Sequence, residues 1–227
     1  MVCNLHHRKG TPAKPDIESI PGQRIRAADL GLERFITLDN GESGEYPRFL
    51  RISEEKIKML QRRLAHKLKG SKRCRAIYLS LARLHQHIKR QREDYQNKVI
   101  AKLYKENDAL IMEKLSIENM LKNHKLAKSM IDSSFGKLIR KAMFKAKMLG
   151  KHFITVDPWG TTQFCYNCLN WIPKGLSERG HKCPKCNMKL PRDLNSALLI
   201  KRLGIPTIRG HPRTEGCHSL GLSLCHL

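Results

Sequence analysis

Two cysteine pairs at Cys-x-x-Cys spacing, Cys165/Cys168 and Cys183/Cys186, stand fourteen residues apart in a chain of 227 residues. Each pair fits one tight turn and offers two thiolates, so two such turns can close over a single tetrahedral Zn²⁺ at Zn–S distances of about 2.3 Å. Four thiolates fill the coordination sphere, which makes this one metal structural. His181 is available as a substitute ligand but is not needed. Pro173, Gly175, Gly180 and Pro184 suit the turns of such a unit, and its Lys174, Arg179, Lys182, Lys185 and Lys189 could face phosphates. Cys3, Cys74, Cys217 and Cys225 lack any such spacing and read as free thiols.

Three carboxylates form a second candidate set, each in its own segment: Asp29, Glu113 and Asp193. Singly, each has an ordinary reading. Asp29 could cap a turn, Glu113 could be a surface acid like Glu106 or Glu118, and Asp193 could be a helix N-cap. Brought together, they could hold two Mg²⁺ or Mn²⁺ ions about 3.5–4 Å apart. One ion would activate water and the other would stabilise the leaving oxygen of a phosphodiester. The carboxylates would repel one another until cations arrived.

Positioning these groups requires a mixed α/β frame. Arg24 to Gly31 and Arg34 to Leu38 read as two strands, the second running into the hairpin signal Asp39-Asn40-Gly41, and Tyr46 to Ile52 could supply a third. Asp108 to Glu113 and His152 to Asp157 read as further short strands. Ile131, Phe135, Leu138, Ile139, Ala142, Ala146 and Leu149 mark one face of a helix stopped by Gly150. A last helix begins at Asp193-Leu194-Asn195 and is expected to end at Gly204 and Pro206. An opening meander, an acid on a later strand and an acid on a final helix are the parts of an RNase H-like nuclease core. Residues 1–22 show no sustained period and read as a loop.

Charge supplies the partner. The chain carries 44 Lys+Arg against 20 Asp+Glu, a formal +24, which favours a polyanion. Residues 51–105 hold seventeen Lys/Arg and four Asp/Glu, more than half of the excess. Here Ile57, Leu60, Leu64 and Leu68, then Ile77, Leu81, Leu84 and Ile88, repeat at three- and four-residue steps, with a break at Gly70-Ser71. That pattern is a basic helical hairpin; a merely solvated hairpin would not need so strong a sign bias. With 40% hydrophobic residues the chain can build a core, which excludes a wholly disordered polycation. No apolar run reaches the ~18–20 residues of a membrane span, and the start MVCNLHHRKG lacks a secretory stretch, so the expectation is an intracellular protein.

Several motifs taken together resemble one family. They are Ala28-Asp29-Leu30-Gly31 with the hairpin Thr37-Leu38-x-x-Gly41; Leu68-Lys69-Gly70-Ser71-Lys72-Arg73; Ile111-Met112-Glu113-Lys114-Leu115; Thr161-Thr162-Gln163 before Cys165; and Cys183-x-x-Cys186 leading to Arg192-Asp193-x-Asn195-Ser196-Ala197. From about residue 24 to 204 the chain looks like TnpB, the OrfB family of insertion-sequence proteins related to compact type V CRISPR effectors. The resemblance implies an α/β RNase H-like (RuvC) core with an inserted long helical hairpin and a four-cysteine zinc ribbon, and RNA-guided cutting of DNA at one metal-dependent site. It makes Asp29, Glu113 and Asp193 the catalytic cation ligands and Cys165, Cys168, Cys183 and Cys186 the zinc ligands, with Asn195 at most supporting them. It lays the hairpin, with Arg62, Arg63, Lys67, Lys69, Lys72, Arg73 and Arg75, along guide RNA and DNA.

The expected organisation is a leading loop or remnant (1–23), a first core segment (24–52), the basic hairpin (53–107), a second core segment (108–160), the ribbon (161–190), a last core segment (191–204) and a tail (205–227). Family members usually carry a long lobe before the first catalytic Asp, where this sequence has 28 residues. Leu169 replaces the Gly usual after the second cysteine, and Thr162 replaces the usual Ser. The other reading is a catalytically inactive nucleic-acid-binding protein, shortened or repurposed. Strand transfer through a tyrosine nucleophile is disfavoured, because His6-His7 lacks the His-hydrophobe-His spacing.

Overall fold

A computed structural model of the chain describes residues 12–116, 120, 122, 124–175 and 178–208. Cys3, Cys217, Cys225, Glu118 and most of the expected tail lie outside the described residues.

Five strands form the central sheet: β1 (Ile25–Asp29), β2 (Ile36–Leu38), β3 (Ser43–Gly44), β4 (Ala109–Glu113) and β5 (His152–Val156). Their order is β3-β2-β1-β4-β5. The first three pair antiparallel, whereas β1 with β4 and β4 with β5 run parallel. Residues 109–112 at the centre, Ala-Leu-Ile-Met, are all 0% exposed, and their unbroken apolar run is what a strand covered on both faces requires. Alternate residues serve opposite layers. Ala28, Leu110 and Met112 pack with Phe35, Tyr104, Phe135 and Leu138 on one face, while Ile25, Ala27, Ala109 and Ile111 pack with Val156 and Ile200 on the other.

The helices are α1 (Phe49–Ile52), α2 (Glu54–Ala65), α3 (Lys72–Glu106), α4 (His124–Ser133), α5 (Phe135–Leu149) and α6 (Arg192–Ile208). Helices α3 and α5 line the first face of the sheet, and α6 crosses the second. Helix α3 has 35 residues, so it is about 52 Å long. Its Ser71 hydroxyl accepts the Cys74 N–H at 3.1 Å, a cap that starts the helix just after Gly70. Gly150, at φ +65°, ends α5, with the Lys151 N–H reaching back to the Ala146 carbonyl at 2.8 Å. Strands β6 (Gly180–Lys182) and β7 (Lys189–Pro191) make a small separate hairpin.

Several expectations change. The third strand is Ser43–Gly44, and Phe49–Ile52 within the expected strand is helical. The buried Asp132 carboxylate accepts the Leu50 N–H and pairs with Arg92 at 2.9 Å, which caps that turn from a distant segment. The expected helix around 131–149 breaks at Ser134, which takes a left-handed conformation at φ 51°. Buried Gln96 donates to the Ser133 and Ser134 carbonyls, so the break is satisfied from α3, and Ile131 points outward at 56% exposure. The last helix continues through Gly204 and Pro206. Gly204 serves close packing: a Cβ there would stand 2.5 Å from the Ile111 side chain. The described part of the leading segment also packs on the body, with Ile20 in the core and the Pro15 carbonyl 3.0 Å from His152.

Candidate active site and metal centre

The parallel register of β1 and β4 sets Ala28 beside Met112, so the next residues, Asp29 and Glu113, leave the carboxyl ends of neighbouring strands together. Asp193 is the second residue of α6, which packs across β1. Burial, and then the charges of Glu113 and Asp193, push the Asp29 carboxyl well above the ordinary carboxylate range; Arg192 and the Leu30 N–H oppose the shift. Glu113 is raised too, by burial first, with a hydrogen bond from Thr161 opposing and the charge of Asp157 adding. One Glu113 oxygen, Oε1, is buried with no hydrogen-bond partner among the described residues. Arg192 stands 3.5 Å from the Asp193 carboxylate.

A buried acceptor without a donor, beside carboxylates that resist ionising together, is a donor set suited to hard divalent cations. The three carboxylates do not all approach within 4.8 Å of one another; among the described residues only the four cysteines do. Asp157 and Thr161 had no assigned role in the sequence. The signal for Asp157 was its place just past a parallel strand adjoining the one that ends at Glu113.

The four cysteines converge. Sγ of Cys165 lies 3.6 Å from that of Cys186, and Sγ of Cys168 lies 3.4 Å from that of Cys183. Ligands on a tetrahedral Zn²⁺ at about 2.3 Å stand about 3.8 Å apart, so the cluster fits that ion with a slight expansion. The Met188 N–H is the main influence drawing the Cys186 thiol down to about 6, while burial pushes Cys168 up to about 12. Each pair is followed by a left-handed residue, Leu169 at φ 56° and Asn187 at φ 57°. His181 is not part of the cluster: it is fully buried, with Nδ1 2.6 Å from the Lys174 ammonium. Asn195, also fully buried, hydrogen-bonds the backbone around Cys165. Cys74 is unpaired with any other cysteine among the described residues.

Arg62, Arg63, Lys67, Lys69, Lys72, Arg73 and Arg75 are all exposed and flank the turn between α2 and α3. None of the seven has an ion-pair partner among the described residues, in contrast to Lys58 with Glu54 or Lys98 with Asp94. Their charge is therefore free for phosphates. Among the described residues no helix is long and apolar enough to cross a membrane.

Comparison with known proteins places these features. Residues 14–124 match the family model OrfB_IS605, described as "Probable transposase", and residues 135–200 match the Cas12f1-like TNB domain. A Streptomyces pristinaespiralis protein named as a putative RNA-guided DNA endonuclease is 29% identical over 179 residues, covering 78% of this chain and 44% of its own. Escherichia coli K12 InsQ, named in the same way, is 26% identical over 200 residues, covering 81% and 50%. The chain thus spans about half the length of the curated relatives it matches. Two solved structures share its fold. A Cas12f1–sgRNA–target DNA complex has a TM-score of 0.54 at 20% identity, covering 78% of this chain and 49% of that one. A CRISPR-Cas12f ternary complex has a TM-score of 0.57 at 19% identity, covering 85% and 40%. Through its basic first half the chain is thus similar to the OrfB_IS605 proteins, and through its cysteine-rich second half to the Cas12f1-like TNB domain.

Proposed function

We propose that the chain is the nuclease part of an RNA-guided DNA endonuclease, with an RNase H-like (RuvC) core, an inserted basic hairpin at 53–107 and a zinc ribbon at 161–190. One observation carries the reading: Asp29 and Glu113 end adjacent parallel strands, and a buried Glu113 oxygen lacks a donor where Asp193 also bears on Asp29. Bound Mg²⁺ or Mn²⁺ would supply an activated water and stabilise the leaving oxygen of a DNA phosphodiester. Asp29, Glu113 and Asp193 would hold the cations; burial and the neighbouring charges raise the Asp29 carboxyl, and a bound cation would favour its charged form. Arg192 steadies Asp193. The unpaired cations of the hairpin turn hold nucleic-acid backbone, which suits a guide RNA–target DNA duplex recognised by shape. Such a protein acts in the bacterial cytoplasm or nucleoid.

The test is cleavage of DNA by protein purified with its co-purifying RNA, in Mg²⁺ or Mn²⁺, beside Asp29→Ala and Asp193→Ala. Metal-dependent cutting lost in both variants is expected. Binding with no metal-dependent cutting would favour the alternative, a nucleic-acid-binding protein without catalysis, which the unpaired cations alone would support.

A further inference from the structure

We propose that the cysteine cluster positions the third acid: Asn195 and Arg202 transmit the state of the first cysteine turn to Asp193. Both are positioning residues that touch neither nucleic acid nor cation. The proposal rests on reading Asp193 as a cation ligand.

The chain of contacts is short. Asn195 is 0% exposed; its Oδ1 accepts the Tyr166 N–H at 3.1 Å and its Nδ2 donates to the Phe164 carbonyl at 2.8 Å. Seven residues on, at the same face of α6, Arg202 Nη1 donates to the Tyr166 and Asn167 carbonyls, both at 2.6 Å. Four hydrogen bonds from one helix therefore grip the backbone that carries Cys165. The other half of the cluster holds the helix from its start. Strand β7 ends at Pro191, α6 begins at Arg192, and the Arg192 N–H donates to the Arg179 carbonyl at 2.8 Å. Asp193 is thus fixed from both sides by cysteine-bearing segments.

Within itself the first turn is closed by the Leu169 N–H on the Cys165 carbonyl at 2.9 Å and the Cys165 N–H on the Asn170 carbonyl at 3.0 Å, and it also pays a backbone cost. Leu169 sits at φ 56°, a left-handed conformation that a residue with a side chain rarely adopts. The Sγ pairs at 3.4 and 3.6 Å are held across the two cysteine turns, so a Zn²⁺ bound among them would tie the first turn to the second. When the turn opens, the buried Asn195 amide is deprived of both partners, and relaxing to recover them moves the first turn of α6. Zinc binding at the cysteines and divalent-cation binding at the acids are therefore linked.

The experiment uses the full chain and two readouts: backbone hydrogen exchange over 193–197, and Mn²⁺ affinity measured by electron paramagnetic resonance. Wild-type protein with one zinc is expected to bind Mn²⁺ in a way that Asp29→Ala abolishes. Asn195→Ala should keep its zinc, exchange faster over 193–197 and bind Mn²⁺ on the order of tenfold more weakly, as removal of a ligand's supporting hydrogen bonds does elsewhere. Cys186→Ser, which gives up zinc, should do the same. In an Asn195→Ala/Arg202→Ala background, removing zinc should weaken binding by clearly fewer fold than in the wild type, because the link through the first cysteine turn is already cut. Unchanged exchange and affinity in Cys186→Ser, or full additivity in the combined variant, would overturn the coupling. If wild-type Mn²⁺ binding does not depend on Asp29, the reading of the acids fails, while exchange over 193–197 still decides the coupling. Arg202, being exposed, gives a variant that folds should Asn195→Ala not.

Discussion

Asp29→Asn should make the cation-free protein more stable near pH 8 and remove its response to Mg²⁺. Folding raises the Asp29 carboxyl above its unfolded value, so between the two values the native state binds more protons than the unfolded one. Stability then falls as pH rises through that window and stays at the lower level above it. The cause is burial of a charge beside Glu113 and Asp193, offset in part by Arg192 and the Leu30 N–H. A partly compensated buried charge costs on the order of 2 kcal/mol. For a chain of this size that corresponds to roughly 4–8 °C in melting temperature. The assay is thermal unfolding of zinc-loaded protein from pH 5 to pH 8, in resin-treated buffer and then with added Mg²⁺. Wild type should lose stability toward pH 8 and regain about 2.7 kcal/mol at Mg²⁺ a hundredfold above its dissociation constant. The variant should show a flatter pH profile and no Mg²⁺ response. An Asp29→Asn protein less stable than wild type at pH 8 without cations, or one stabilised equally by Mg²⁺, would refute the account of a repulsive, cation-seeking pocket.

Other substitutions probe the frame. Leu169→Gly relieves a left-handed backbone and should stabilise the zinc-loaded protein by about 1 kcal/mol, read as a rise of roughly 2–4 °C. Gly204→Ala places a methyl 2.5 Å from the Ile111 side chain and should cost about 1–3 kcal/mol, with Ile111→Val recovering part of it in urea melts. Replacing Arg62, Arg63, Lys69 and Arg73 by Ala should leave the melting temperature nearly unchanged. It should lower the slope of log K for duplex binding against log salt by about 0.9 for each phosphate left without its cation.

Local signals were legible where one segment decides its own structure. Gly150 did stop its helix and Gly70-Ser71 did divide the hairpin, because a left-handed glycine and a serine cap act within a few residues. The cysteine spacing was read correctly as one converging cluster for the same reason. What was missed depends on distant partners. Phe49–Ile52 is helical because Asp132, more than eighty residues on, caps it, and the break at Ser134 is satisfied by Gln96. Gly204 reads as a helix stop, yet it is a packing surface for Ile111, ninety residues earlier. In the candidate site, the positions of Asp29 and Glu113 followed from strand ends, whereas the bearing of Asp157 and Thr161 on Glu113 required the β4–β5 pairing.

The order of elements also bears on how the chain reaches its native state. Strands β1 and β4, whose register sets Asp29 beside Glu113, are separated by the whole of α2 and α3. Helices form from local contacts in about a microsecond, whereas parallel pairing across so long an intervening segment carries a larger loop-closure penalty. A 35-residue α3 replaces most of that flexible loop with a rod whose far end stands just before β4. The pairing that sets Asp29 beside Glu113 is therefore expected to follow formation of the basic hairpin. On the proposed reading, a nascent chain would offer its basic surface to polyanions before the acidic pocket had come together.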